Sequence, residues 1–323
     1  MQSRVVDPLT LARALGITLV VLNHATPENW LPGGLNILLV LSGVSFATLG
    51  FGGTTKDTLR TMVWFLARLL LIAWALTLLA FLKDAEVRPL ELLMVSAWVT
   101  TDFLSDYPIW YVQVILQIFL FLGLIFAVFD LTPKVQSNPV FAAISFLGAS
   151  VGVGLIGKQV WNPPHLWGHL PYLHIWTFLV GWLYWALFVN KTQDRAGQVL
   201  FGGLALLGGI LMLGPDAIDG RPIRLCVYSA TVLFLAVSPQ LRLPAVVVHL
   251  VYLVSQSTLY LFFLHWTFFK IAALGLVVFG TLPDTLDISI NFIVAMVGGV
   301  TTWALVTAVS RGWAQRKKPT VRV

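Results

Sequence analysis

Apolar runs long enough to cross a bilayer recur from Leu9 to Val309. A hydrocarbon core about 30 Å thick takes about 20 helical residues to span. The fold class expected from this pattern is therefore all-α, a polytopic transmembrane helix bundle. Composition agrees, with 58% of the 323 residues hydrophobic and 11% charged, where a soluble domain carries about 25% charge. Ten spans are expected, at roughly 9–26, 34–52, 59–82, 108–130, 139–156, 171–190, 197–214, 224–239, 251–279 and 289–309. Residues 1–323 are read as one integral-membrane domain, because no loop is long enough to build a core of its own.

The loops separate by charge. Arg4, Lys56, Arg60, Lys134, Lys191, Arg195, Arg242 and the basic tail fall on one side of the ten-span reading. Glu28, Asp84, Glu86, Asp102, Asp106, Asp216, Asp219, Asp284 and Asp287 fall on the other. The cation bias of short loops places both termini in the cytoplasm. It also accounts for the net charge of +6, which is thus no nucleic-acid signal. The single cysteine, Cys226, leaves no intramolecular disulfide and no cysteine metal cluster. The N-terminal run is not a signal peptide, since Arg13 interrupts it and apolar spans continue after it.

Three segments depart from simple spans. Pro244 to Gly280 is too long for one span and awkward as two; Pro244 to Leu250 is read as a short interfacial helix leading into a single span. Leu90 to Phe103 is apolar but short, either re-entrant or lying on the outer surface. The loop from Gly157 to His174 is rich in Trp, Pro and His. It is either an aromatic belt at the outer interface or a lid with Trp161 and Trp167 stacked on a sugar or ring. His165, His169 and His174 are not expected to hold a metal, because prolines and a glycine break the helix that would align them.

Charge and imidazole within the spans mark the candidate chemistry. Arg13 and His24 are eleven positions apart in the first span. At about 100° per residue they share one helix face, and at helical rise they stand about 16 Å apart along it. A charged side chain inside a span costs at least about 2.5 kcal/mol on insertion scales, so Arg13 and Arg68 are functional candidates by default. Snorkelling to the headgroups is the plainer alternative for each. Two arginines facing an inner cavity would suit phosphates through forked hydrogen bonds. His24 is either an interfacial histidine or a general base, the role imidazole most often fills near neutral pH. His265, deeper in the ninth span, is either a hydrogen-bonded core histidine or part of a site. Gly33, Gly34, Ser42 and Gly43 allow close approach of a helix or of a ligand.

The order of these elements resembles a known family. It runs ARALGITLVVLNH, then GGLNILLVLSGVSFA, then IWYVQVILQIFLF, then STLYLFFLHWTF. This resembles the acyltransferase-3 family of bacterial integral-membrane acyltransferases over most of the chain. Leu39 to Val44 resembles the family's Phe-Phe-x-Leu-Ser-Gly-Phe segment, Trp110 and Tyr111 its fourth-span start, and Ser257, Tyr260, Leu261 and His265 its Ser-Tyr-x-x-Tyr-Leu-x-His. The chain departs from the family where Leu71 replaces the second arginine of an Arg-x-x-Arg pair begun by Arg68. It departs again at Val44, which replaces a phenylalanine, and at Pro108 and Ile109, where a histidine often stands.

The resemblance implies a ten-span enzyme that takes an acyl group, acetyl by first expectation, from cytosolic acyl-CoA. It delivers the group to a hydroxyl of an outer-face acceptor, expected to be a glycan or glycolipid. His24 is then catalytic with Arg13 its partner. Donor binding is expected from Arg13, Arg68, Ser42, Gly43, Trp110 and Tyr111. The acyl or acceptor pocket is expected from Tyr260, His265, Trp161, Trp167, Asp102 and Asp106, with no metal. The location implied is a bacterial inner membrane. The competing class is a transporter or flippase for a small polar or anionic substrate, which would also bury charge along a pore. Such folds usually carry an internal repeat, and none is visible.

The loop charges generate a topology test. A cysteine introduced at Lys317 is expected to react with membrane-impermeant reagents only in opened cells, and one at Asp284 in intact cells. The reverse order of labelling contradicts the assigned orientation.

Overall fold

The computed structural model describes residues 3–26, 32–84, 89–98, 109–160, 170–189, 194–218, 222–237, 241–279 and 284–316. These are almost entirely helical, as the recurrent apolar runs require. Among the described residues, seven helices are long and apolar enough to cross a membrane, and four shorter apolar helices accompany them. The chain separates into two units, one of Met1–Leu35 with Pro239–Val323 and the other of Asn36–Ser238.

The first unit joins the two ends of the chain. Strand β1 (Ser3–Val6) pairs antiparallel with β2 (Leu241–Pro244), Ser3 opposite Pro244 and Val6 opposite Leu241. Helix α1 (Pro8–Ala25) follows at once. The Asp7 side chain accepts from the Thr10 backbone N–H and proline opens the first turn, both strong helix starts. α1 packs with α11 (Ala245–Gln256), α12 (Thr258–Phe279) and α13 (Asp284–Arg316). Gly33 has φ 129°, a backbone state that suits glycine. It turns the chain so that Gly34 lies against the backbone of Gly16 and Val20 on α1, where a Cβ would collide.

The second unit begins in α2 (Gly34–Gly50) and continues with α3 (Thr55–Asp84) and the single turn α4 (Pro89–Leu92). Then come α5 (Ile109–Phe129), the short α6 (Leu131–Ser137) and α7 (Pro139–Val160). A 3-10 turn (Pro171–Leu173) leads into α8 (Ile175–Tyr184), which ends in a π turn (Trp185–Val189). α9 (Arg195–Ile218) and α10 (Pro222–Val237) complete the unit. An aromatic cluster fills its core. Phe46 meets Phe119 edge-on at 5.3 Å, and Phe51 lies 4.8 Å from Trp182.

Two boundaries differ from the sequence expectation. The interfacial helix expected at Pro244 to Leu250 instead runs to Gln256, and the single span expected at 251–279 begins only at Thr258. The break falls at Ser257, the residue that caps α11. Its hydroxyl donates to the carbonyls of Leu253 and Val254, and Thr258 donates to that of Ser255. Such back-bonding offers the chain an alternative to the helical ladder. The connection after α5 holds the helix α6, begun after Asp130 turns left-handed at φ 46° and ψ 57°. The apolar segment near Leu90 is tied to α5: Gln117 donates to the Met94 carbonyl and Gln113 to the Ser96 hydroxyl.

Gly43 and Gly181 set the contact between α2 and α8. A Cβ at Gly43 would overlap the Phe178 carbonyl, and one at Gly181 the Val40 carbonyl. The neighbouring atoms are backbone, so relief requires the helices to part. Gly43→Val is expected to destabilise the protein by about 1–3 kcal/mol or more, the range for overpacking. The measurement is a lowered thermal midpoint of the purified protein in detergent. An unchanged midpoint contradicts this contact.

Candidate active site

Helix α1 carries both residues singled out in the first span. Arg13 and His24 lie on one uninterrupted helix and are half-buried. Asp7, one residue before the helix, is the charged neighbour that acts on Arg13. His24 stands in the last turn.

The central feature is a second imidazole. Nδ1 of His24 lies 2.8 Å from Nε2 of His265 on α12. The ring planes are 13° apart with centroids at 5.0 Å. The other nitrogen of His265, Nδ1, lies 3.0 Å from the Leu261 carbonyl oxygen one turn earlier. His265 is fully buried. Trp266, Phe269 and Phe262 surround the pair: Trp266 is 5.5 Å from the His24 ring, and Phe269 and Phe262 meet His265 edge-on. The two histidines, 241 positions apart, thus form one hydrogen-bonded pair walled by aromatic rings. Tyr260, on the same helix, is half-buried.

The candidate donor residues of the second unit occupy different settings. Arg68 is exposed on α3, its guanidinium stacked over Trp64 at 3.4 Å from the ring centroid, a cation–π contact. The Tyr111 hydroxyl is bonded to Ser42. Ser42 itself donates to the Leu38 carbonyl, so Tyr111 is the donor to Ser42. Trp110 is half-buried, its ring 5.9 Å from that of the buried His174. The face of Gly43 is filled by the backbone of α8, the close-packing alternative for this glycine. Asp102, Asp106, Trp161, Trp167, His165 and His169 lie outside the described residues. Among the described residues no three His, Cys, Asp or Glu side chains come together as metal ligands.

Several polar residues within spans escaped the sequence reading. Arg224 on α10 donates to the Asn36 side chain on α2 at 3.4 Å, and Asn36 is 1% exposed with its amide nitrogen unpartnered among the described residues. Lys270 sits half-buried in α12. Both cations interrupt apolar runs, and the rule that flagged Arg13 and Arg68 also covers them. Gln113 and Gln117 on α5 are four apart and share one face, a signal present in the sequence. The pairing of His24 with His265 had no such signal, because nothing local specifies which helix covers the end of α1.

A family model described as an acyltransferase domain matches residues 7–310, nearly the whole chain. No curated protein and no solved structure matches it.

Proposed function

The chain belongs to the acyltransferase-3 family, and on that premise we propose that it moves an acyl group, acetyl by first expectation, from cytosolic acyl-CoA to a hydroxyl of an outer-face glycan or glycolipid. That the protein is a membrane acyltransferase follows from the family and the apolar helices. The donor, the acyl group and the acceptor are the proposed part, as are the bacterial inner membrane and the cytoplasmic termini. The observation that carries the reading is His24 at the end of α1, hydrogen-bonded to a buried His265.

In this reading His24 takes the proton of the acceptor hydroxyl as its oxygen attacks the thioester carbonyl carbon. A C–O bond forms, the C–S bond breaks, and the departing coenzyme A thiolate recovers the proton from His24. The products are the ester and coenzyme A thiol, and His24 returns to its starting state. A positioned base of this kind contributes about 10²- to 10⁴-fold. Arg13 lies about 16 Å along α1 from His24 by helical rise, far enough to bind the donor's phosphates while the thioester reaches the imidazole. Arg68 is proposed as a further phosphate contact from its place in the third span. Its planar fork suits phosphate better than a point charge would. Ser42, Trp110 and Tyr111 are proposed to line the donor's path, and Tyr260 the acyl pocket. Asp102, Asp106, Trp161 and Trp167 are proposed acceptor contacts.

His24 separates fold from chemistry. His24→Ala is expected to yield folded protein that still binds acetyl-CoA, while transfer falls by at least about 10²-fold. Donor binding and acyl transfer are measured on the same purified sample. Near-normal turnover removes His24 from the mechanism, and failure to fold with residual activity assigns it a structural role.

A further inference from the structure

The two hydrogen bonds of His265 fix more than its position. A carbonyl oxygen only accepts, so the nitrogen 3.0 Å from Leu261 O, Nδ1, carries the proton. In the neutral ring Nε2 then holds only a lone pair. That lone pair faces Nδ1 of His24 at 2.8 Å, so His24 must donate through Nδ1–H. A neutral His24 with its proton on Nδ1 has its free lone pair on Nε2, the nitrogen turned away from His265. We infer that His265 is a positioning residue: through the Leu261 carbonyl it holds His24 in the Nδ1–H tautomer and aims Nε2 at the acceptor hydroxyl.

This inference rests on the proposed role of His24 as base and adds the source of its orientation. The chain of protons is directional. The α12 backbone orients His265, His265 orients His24, and His24 meets the substrate. When His24 takes the acceptor's proton on Nε2, its Nδ1–H bond becomes charge-assisted and strengthens, while His265 keeps its own proton. The acceptor oxygen forms its bond to the acyl carbon, coenzyme A leaves as thiolate and is protonated by His24, and neither ring is altered. In the Ser-His-Asp triad the orienting partner of the catalytic histidine is a carboxylate. A neutral imidazole does the same tautomer selection without placing a second charge inside a span, where charge is costly. Phe262, Trp266 and Phe269 wall the His265 ring, and the Phe262 backbone is a further hydrogen-bond partner beside Leu261.

The test compares three full-length variants with the parent, using radiolabelled acetyl-CoA and native membranes as the acceptor source. Gln places its side-chain oxygen where Nε2 of His265 stands and accepts from His24; Leu fills the space and cannot accept. His265→Gln is expected to keep kcat within about tenfold of the parent. His265→Leu is expected to lose about 10²-fold, the lower range for a positioned base, with KM for acetyl-CoA unchanged. A packing role predicts the opposite order, since Leu suits a buried apolar site better than Gln, and turnover of Leu equal to or above that of Gln overturns the inference. Where the Leu variant does not fold, Asn replaces it: its oxygen stops at the Nδ1 position, so Gln must exceed Asn, and equality overturns the inference. His24→Ala is assayed alongside. Loss of turnover there with full turnover in His265→Leu overturns only the orienting role, whereas retained turnover in His24→Ala overturns the base assignment beneath it.

Discussion

The hydrogen bond between His24 and His265 is the contact on which the candidate site depends. A polar side chain inside a membrane protein must find its partners within the protein, because lipid offers none. His265 meets this demand at both ring nitrogens, through Leu261 and His24. The bond to His24 forms only when α1 and α12 pack at the right height. Their packing in turn relies on the ribbon that pairs Ser3–Val6 with Leu241–Pro244 at one end of α1, and on Gly34 lying against its other half. The site is therefore an outcome of joining the chain's two ends.

That joining has a consequence for folding. α1 is made well before its partners α11, α12 and α13. The contacts of the first unit span more than 200 residues, with the loop-closure cost that long-range contacts carry. The second unit, Asn36–Ser238, contains its own aromatic core and its own backbone contacts between α2 and α8. His24 thus acquires its partner His265 only when α12 is in place.

The helical class, most spans and the two residues on α1 were legible from the sequence because each is a local signal: apolar length, loop charge, and an eleven-residue spacing on one helix. The break at Ser257 was not, since the apolar run continues across it and only the back-bonded hydroxyls of Ser257 and Thr258 disclose it. The ribbon was missed because four-residue strands carry no pattern until their distant partner is known. Gly43 was legible as a close-approach residue, but only the structure shows that backbone of α8 occupies its face. The partnership of His24 with His265 belongs to tertiary packing. Sequence reasoning reached both residues separately and had no means to join them.

In the proposed reaction the acyl thioester is brought to the Nε2 side of His24. The most direct measurement is an experimental density map of the full chain with acetyl-CoA bound. The acceptor oxygen must sit within about 2.6–3.2 Å of Nε2 and about 3–3.5 Å from the carbonyl carbon. A thioester carbon is therefore expected within roughly 6 Å of His24 Nε2, with the imidazole pair intact behind it. A thioester bound well away from His24, or a His24 ring turned so that Nε2 faces His265, would contradict the proposed reaction.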